Sequence, residues 1–330
     1  MNQAGAARPS SIKRAIVDHP IGAFLIILYP VSWILFLPAV LGKSGIGVLS
    51  IDIPAQASIL LVTIIGLTGT AFLVTRLADG RSGTRALRRS YVKVKAGVLW
   101  YFLALFGAPI LLLVVALVVR GTGALNPFGQ HASQIPTAYF LNLIVIAILI
   151  SVWEEGAWTA FLTSRLQRRF GPVLASIVVA PLFGLIHAPL FLVNGGLTDG
   201  RPQGIQILEY AFYLLILFSV PMRILITWLF NSTGGSVPVI ALFHASIDTT
   251  ASSAILTSFY PGVDGRLLYV ALAVVALAVV LITRGRLGFR AAPSSTASGQ
   301  EGTGDGNGQA FELPYSESGP GRRRLVPPNS

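Results

Sequence analysis

Residues 97–119 read GVLWYFLALFGAPILLLVVALVV, a run of 23 residues without one charged side chain. A helix needs about 20 apolar residues to cross the roughly 30 Å of hydrocarbon in a bilayer, so this run is predicted to be a transmembrane helix. The rest of the chain has a similar character. Of its 330 residues, 53% are hydrophobic and only 11% are charged, whereas soluble globular proteins average about 25% charged residues. The composition therefore indicates an integral membrane protein without a separate soluble catalytic domain.

Similar apolar segments lie on both sides of this run. They predict an all-α, polytopic membrane helix bundle of about eight transmembrane helices, at 21–41, 57–78, 97–119, 137–165, 172–193, 207–231, 237–257 and 266–283. The first segment has no small-residue cleavage site before the next polar loop. We therefore expect it to be a retained helix and not a cleaved signal peptide.

The basic residues fall mainly on one side of this predicted bundle. If the N-terminus is cytoplasmic, the inner segments carry 16 Lys and Arg residues near membrane ends and the outer loops carry four, namely Lys43, Arg120, Arg201 and Arg266. The positive-inside rule then predicts that both termini are cytoplasmic, in a multi-pass protein of the cell (plasma) membrane. Topology thus explains most of the net charge of +11, and no nucleic-acid partner is expected. With no cysteine, any metal site would use His, Asp and Glu.

Five segments follow from these patterns. Residues 1–20 are predicted to be a cytoplasmic N-terminal segment, and 21–136 to hold helices 1–3 with a basic cytoplasmic loop at 76–95. Residues 137–257 form the predicted core of helices 4–7, and 258–290 carry the last helix. Residues 291–330 are rich in Gly, Ser and Pro and are predicted to be a disordered tail.

Ionisable residues inside the predicted spans are concentrated in helices 4–7. Each costs roughly 2.5–3.5 kcal/mol on membrane-insertion scales, so each needs a partner or a function. At a rise of about 1.5 Å per residue, the glutamates, histidines and aspartate lie at overlapping depths of about 10–22 Å from the cytoplasmic side. We therefore expect them to meet in one polar site; they are Glu154, Glu155, His187, Arg223, His244 and Asp248.

The spacing of these residues suggests hydrolysis. His244 and Asp248 are four residues apart and share a helix face, whereas Glu154 and Glu155 point about 100° apart. One glutamate can then deprotonate water while the imidazoles bind a metal or the developing oxyanion. Which glutamate does this is open. Ser-His hydrolysis is a less favoured alternative, because Ser and Thr in membrane helices usually bond to backbone carbonyls.

Three motifs in this order resemble those of the CAAX-protease and bacteriocin-processing family. These intramembrane proteases, also called Abi proteins, include the prenyl-protein endopeptidases. The double glutamate of the family is similar to Glu154-Glu155, its Phe-x-x-x-His motif to Phe183–His187, and its His-x-x-x-Asn/Asp motif to His244–Asp248. The resemblance covers residues 137–257. In the family, an arginine usually follows four residues after the second glutamate, where this chain has Thr159. Arg223 is a candidate to replace it, although a side chain extending to the membrane surface is an equal alternative.

The resemblance implies an intramembrane endopeptidase of the metalloprotease type. In it, Glu154, Glu155, His187, His244 and Asp248 would be catalytic, with Glu154 as the acid/base that activates water. A divalent metal, expected to be zinc, would be bound by His187, His244, Asp248 and Glu155. The implied partners are the lipid bilayer and a peptide or membrane-associated protein substrate, prenylated or not. Two alternatives remain: an inactive membrane scaffold or chaperone of the same family, which the change at Thr159 favours, and a proton-coupled transporter, which buried ionisable groups also permit.

Overall fold

The computed structural model of the protein describes residues 11–196 and 204–290. Every regular element in these two ranges is a helix. The prediction of an all-α membrane bundle is confirmed, because several helices are long and apolar enough to span a bilayer. Arg201 and the predicted disordered tail at 291–330 lie outside the described residues, as do the first ten residues of the chain.

We number the helices of the described part in chain order. They are α1 Ser11–Asp18, α2 Pro20–Leu41, α3 Ala55–Ala78, α4 Gly80–Tyr91, α5 Val98–Gln134, α6 Pro136–Phe170, α7 Pro172–Leu192, α8 Ile205–Ser232, α9 Val237–Thr250, α10 Ser253–Phe259 and α11 Arg266–Ile282.

The number of membrane spans is close to the predicted eight. Within the described ranges, six helices are long and apolar enough to cross a membrane, and a seventh span arises if α9 and α10 are taken together. The last apolar helix, α11, has 17 residues and is shorter than the others. The predicted boundaries mostly agree with the observed ones to within a few residues.

Two predicted helices are interrupted close to the ionisable residues. The predicted helix at 237–257 bends by 59° between α9 and α10, shortly after Asp248. The α-helical part of α7 ends at Leu185, and a tighter turn over Ala188–Leu192 follows it, so His187 lies at the break. Pro189 explains this break, because proline disfavours the helical conformation of the residue before it.

Short connections hold the helices of the site in antiparallel pairs. A single residue, Gly171, separates α6 from α7 and adopts a φ of +78°, which glycine reaches without strain. Between α8 and α9, the side chain of Ser236 caps α9 by accepting a hydrogen bond from the backbone N–H of Val239. These two turns place α6 beside α7 and α8 beside α9, which brings their polar residues to similar depths.

Helix α9 lies at the centre of the bundle. It packs against α5, α6 and α8, while α8 also packs against α7 and α11. Most residues of α9 are buried, including His244. A buried polar residue on α9, such as His244, must therefore find its partners inside the protein, because neither lipid nor bulk water reaches it.

Candidate functional site

The two adjacent glutamates lie on α6, directly before a stretch of wide π-helical turns at Gly156–Thr163. Such wide turns often occur at functional sites. Both carboxylates are buried, with 4% of Glu154 and none of Glu155 exposed. Because neighbouring residues on a helix point in different directions, the two side chains have different partners.

Glu155 forms a buried ion pair with Arg223 of α8. The Nη2 of Arg223 donates to one carboxylate oxygen, and its Nη1 donates to the other at 3.1 Å. This is the two-pronged geometry that makes arginine–carboxylate pairs strong. The Arg223 side chain is 1% exposed, so the alternative of an arginine extending to the membrane surface is wrong.

Thr159 completes the surroundings of Glu155. Its hydroxyl donates to Glu155 Oε2 at 2.6 Å, and Arg223 Nη1 lies 3.4 Å from the same hydroxyl oxygen. The threonine at the family's arginine position therefore contacts both members of the ion pair. Arg223 of α8 therefore supplies the positive charge that an arginine at position 159 of α6 would otherwise provide.

His244 of α9 links the glutamates to Asp248. Its Nδ1 lies 2.8 Å from Glu155 Oε1 and 3.9 Å from Glu154 Oε2. Since an ionised carboxylate only accepts hydrogen bonds, Nδ1 is the donor to Glu155. On the other side of the ring, Nε2 is 3.5 Å from Asp248 Oδ2. The Asp248 side chain is 35% exposed, so the network runs from a buried arginine to a carboxylate that reaches the protein surface.

Glu154 has far fewer partners than Glu155. Among the described residues, no side chain hydrogen-bonds its carboxylate, and its one ion-pair neighbour within 4 Å is the His244 imidazole, which is charged only when it is protonated at both nitrogens. Buried polar groups are usually hydrogen-bonded. The two glutamates thus differ: Glu155 is held by three side chains, and Glu154 is available to another molecule.

His187 joins this group through an aromatic ring. Its Nδ1 lies 3.0 Å from the carbonyl oxygen of Phe183, to which it donates. The Phe183 ring is 5.1 Å from the His187 ring and 5.7 Å from the His244 ring, centre to centre. The guanidinium carbon of Arg223 lies 4.5 Å from the centre of the same ring, within cation–π range. Phe183 therefore separates the two histidines and packs against the arginine.

A contact from outside the core also reaches the glutamate motif. The hydroxyl of Tyr91, the last residue of α4, lies 3.2 Å from the Thr68 hydroxyl, and Thr68 donates to the carbonyl oxygen of Trp153 at 2.8 Å. A Cβ atom on Gly156 would lie 1.7 Å from the Tyr91 hydroxyl oxygen. Helix α4 is thus docked beside the glutamates, and the sequence held no signal for Tyr91.

The predicted metal ligands do not fit a single metal site in this arrangement. Both oxygens of Glu155 are occupied by Arg223, Thr159 and His244. In the described ranges, no three His, Asp or Glu side chains are grouped as ligands of one ion. Zinc at His187, His244, Asp248 and Glu155 stays a prediction.

Fold and site together define a polytopic helical membrane protein with a charged Glu–Arg–His network buried between its helices. Comparisons with known proteins agree with this class. Residues 136–250 match the family model described as type II CAAX prenyl endopeptidase Rce1-like. The chain is also 25% identical over 187 residues to CAAX prenyl protease 2 of Methanococcus maripaludis, a match that covers 54% of this chain and 66% of that protein.

The matched region contains all three motifs and Arg223. This match agrees with the resemblance to the CAAX-protease and bacteriocin-processing family that the three motifs predicted.

Proposed function

We propose that this protein is an intramembrane endopeptidase in which Glu154 activates the attacking water. The observation that carries the proposal is the contrast between the glutamates: Glu155 is fully paired, whereas Glu154 is buried without a hydrogen-bond partner among the described residues. A carboxylate buried in a membrane bundle is costly to maintain without a function. The match of residues 136–250 to the family model and the resemblance to a CAAX prenyl protease support the same activity.

In the proposed reaction, Glu154 accepts a proton from water as the water oxygen attacks the carbonyl carbon of the scissile peptide bond. The tetrahedral intermediate collapses when the C–N bond breaks, and Glu154 returns the proton to the leaving amine. The products are a carboxylic acid and an amine, between which a proton then passes in water to give a carboxylate and an ammonium group, and the Glu154 carboxylate is regenerated. His187 and His244 are the candidates to stabilise the negative charge that develops on the carbonyl oxygen, each through Nε2–H when its ring is protonated at both nitrogens.

The role of Glu155 in this proposal is to position other groups. It accepts hydrogen bonds from Arg223 and from His244 Nδ1. These contacts fix the ring orientation of His244, whose Nε2 then faces Asp248. Arg223 neutralises Glu155, so the Glu155 carboxylate can stay ionised without repelling a substrate carbonyl oxygen. Arg223 therefore acts through Glu155 and is a positioning residue.

We further propose that the substrate is a peptide or a membrane-associated protein, prenylated at a C-terminal cysteine or unmodified. The proposed location is the cell membrane with both termini in the cytoplasm. The experiment uses the full chain in lipid nanodiscs with two quenched fluorescent peptides that differ only in a farnesyl group. Cleavage of both, or of the farnesylated peptide alone, separates general from prenyl-dependent proteolysis.

Glu154→Gln is the decisive variant in this assay. The amide keeps the size of the side chain but does not accept a proton, so we expect cleavage to fall by about 10²–10⁴-fold. The matched control is Glu209→Gln, the same chemical change at an exposed position on α8; it should cleave at the wild-type rate.

If Glu154→Gln cleaves as fast as wild type, the assignment of Glu154 is wrong. If the folded wild-type protein cleaves neither peptide nor any member of a broader peptide library, the proposed peptidase function is wrong and the scaffold and transporter alternatives are left.

A further inference from the structure

Helix α4, expected from the sequence to be a basic loop, is amphipathic. Its buried residues are Ala86, Leu87 and Ser90. The arginines lie on the exposed face at spacings of three and four residues, which places them along one side of a helix. We call Arg81, Arg85, Arg88 and Arg89 the arginine stripe.

The arginine stripe has no acidic partner in the described part of the chain. None of its four guanidinium groups forms an ion pair or a hydrogen bond with a described residue. Asp79, which directly precedes α4, pairs with Arg165 of α6 instead. Four positive charges therefore project from one surface of the protein, and no acidic side chain in the described part of the chain neutralises them.

The position of α4 places the stripe at a membrane boundary. It connects α3 and α5, two membrane-spanning helices, so both of its ends lie at the same face of the bilayer. Three valines in the segment that follows are exposed: Val92 (69%), Val94 (60%) and Val98 (86%). Cationic side chains beside exposed apolar ones are typical of helices that lie in the membrane interface.

The end of α4 is also fixed to the protein. Lys93 Nζ donates to the carbonyl oxygen of Gly234 at 2.6 Å, and the Ser236 hydroxyl donates to the carbonyl oxygen of Lys93 at 2.5 Å. The stripe is thus held in one orientation by the turn between α8 and α9. A bound headgroup would meet a preformed surface.

We propose that the arginine stripe is a binding surface for anionic phospholipids of the adjacent leaflet. Membrane topology requires basic residues near the spans, but it does not require them on one face of a docked helix. The free positive charges, the apolar residues beside them and the fixed helix together match a phospholipid with its phosphate at the stripe and its chains in the bilayer. This surface is separate from the hydrolytic site, and the proposal stands without the proposed peptidase activity.

The test measures how many phosphatidylglycerol molecules the full-length protein retains, by native mass spectrometry in a neutral detergent with increasing lipid. The test variant is Arg85→Gln/Arg88→Gln/Arg89→Gln. Each arginine at a lipid surface contributes about fivefold in affinity, so the variant should bind about 100-fold more weakly. Phosphatidylcholine binding should not change, and 1 M salt should weaken the wild-type interaction.

The control removes the same charge elsewhere at a membrane end, through Arg284→Gln/Arg286→Gln/Arg290→Gln, and should keep the wild-type affinity. Equal weakening in both variants would mean that net charge, and not the stripe, attracts the lipid, and would overturn the proposal. Unchanged binding in the stripe variant would also overturn it. Tighter binding of a soluble polyglutamate peptide than of the lipid would overturn it as well, because the partner would then be an acidic protein segment.

Discussion

Helices α2, α3 and α5 differ from α6, α8 and α9 in what they bury. Helix α2 buries Phe24, Leu28 and Phe36, and the buried polar side chains of α3 are hydroxyls such as Thr63 and Thr68. The second group buries two glutamates, an arginine and a histidine. Helices α2, α3 and α5, the apolar half, pack into the same bundle without buried charges, so buried charges are not needed to assemble a bundle of this kind. The buried charges of α6, α8 and α9, the charged half, therefore require a functional explanation.

The largest expected effect comes from removing the cation in the charged half. Arg223→Ala leaves Glu155 buried without its counter-ion, so we expect a loss of roughly 3–5 kcal/mol in the free energy of unfolding and loss of peptidase activity. Phe24→Ala in the apolar half should also destabilise, but each folded molecule should keep its activity. Denaturant unfolding in detergent and cleavage per folded molecule measure both quantities.

An apolar replacement of the whole pair tests the comparison further. In Glu155→Leu/Arg223→Met no charge is left unpaired, so stability should recover while activity stays low. If activity also recovered, the pair would serve only packing, and the difference between the two halves would disappear.

The position of the cation can be tested by moving it. Thr159→Arg in the Arg223→Ala background returns a guanidinium to α6, one turn after Glu155. We expect it to restore about half of the lost stability, since the charge is compensated but the two-pronged geometry is not. Thr163→Arg, another buried threonine one turn further along α6, is the control and should give no recovery. Equal recovery by both would show that the new arginines act non-specifically.

These contacts show what the sequence could predict. The helix boundaries were predictable because a bilayer sets the length of an apolar run. The shared position of Glu155 and His244 was predictable from their depths. The division between Glu154 and Glu155 was not, because it depends on the rotation of α6 about its axis, which spacing leaves undetermined. Arg223 was ambiguous because a long side chain can either reach a buried partner or extend to the surface.

Other features carried signals of different strength. Pro189 indicates that α7 must be interrupted near His187, and this signal was present in the sequence. Helix α4 was expected to be a loop, because Gly80, Gly83 and its many arginines give it low hydrophobicity. Its helical form depends on the packing of Ala86 and Leu87 against the bundle, which local sequence does not reveal.

A smaller effect is expected at the surface end of the charged network. Asp248→Asn keeps the shape of the side chain but removes the charge that faces His244 Nε2. We expect activity to fall by about 10–100-fold with little change in stability, as is typical when a group that orients a catalytic histidine is lost.

Measuring the zinc content of the wild type and of Asp248→Asn tests the metal prediction at the same time. Zinc bound at one equivalent to wild type and lost in the variant would support it. Full activity in the presence of a strong chelator, with no zinc bound, would contradict it.

The smallest effect should come from packing in the apolar half. A Cβ atom on Gly66 would lie 2.4 Å from the Ser32 hydroxyl oxygen, which has no hydrogen-bond partner among the described residues. Gly66→Ala should therefore destabilise by about 1 kcal/mol and leave activity per folded molecule unchanged. Adding Ser32→Ala should remove most of this loss. A change in activity would show that the apolar half also contributes to the chemistry.

The close approach of Tyr91 to Gly156 limits how related chains can diverge. Any side chain at position 156 would occupy the volume of the tyrosine hydroxyl, so alanine or serine there requires a shorter residue, such as leucine or valine, at position 91. The two positions lie 65 residues apart in the chain, yet they should vary together in an alignment. Such paired variation would show whether the contact between helix α4 and the glutamate motif is kept in related chains.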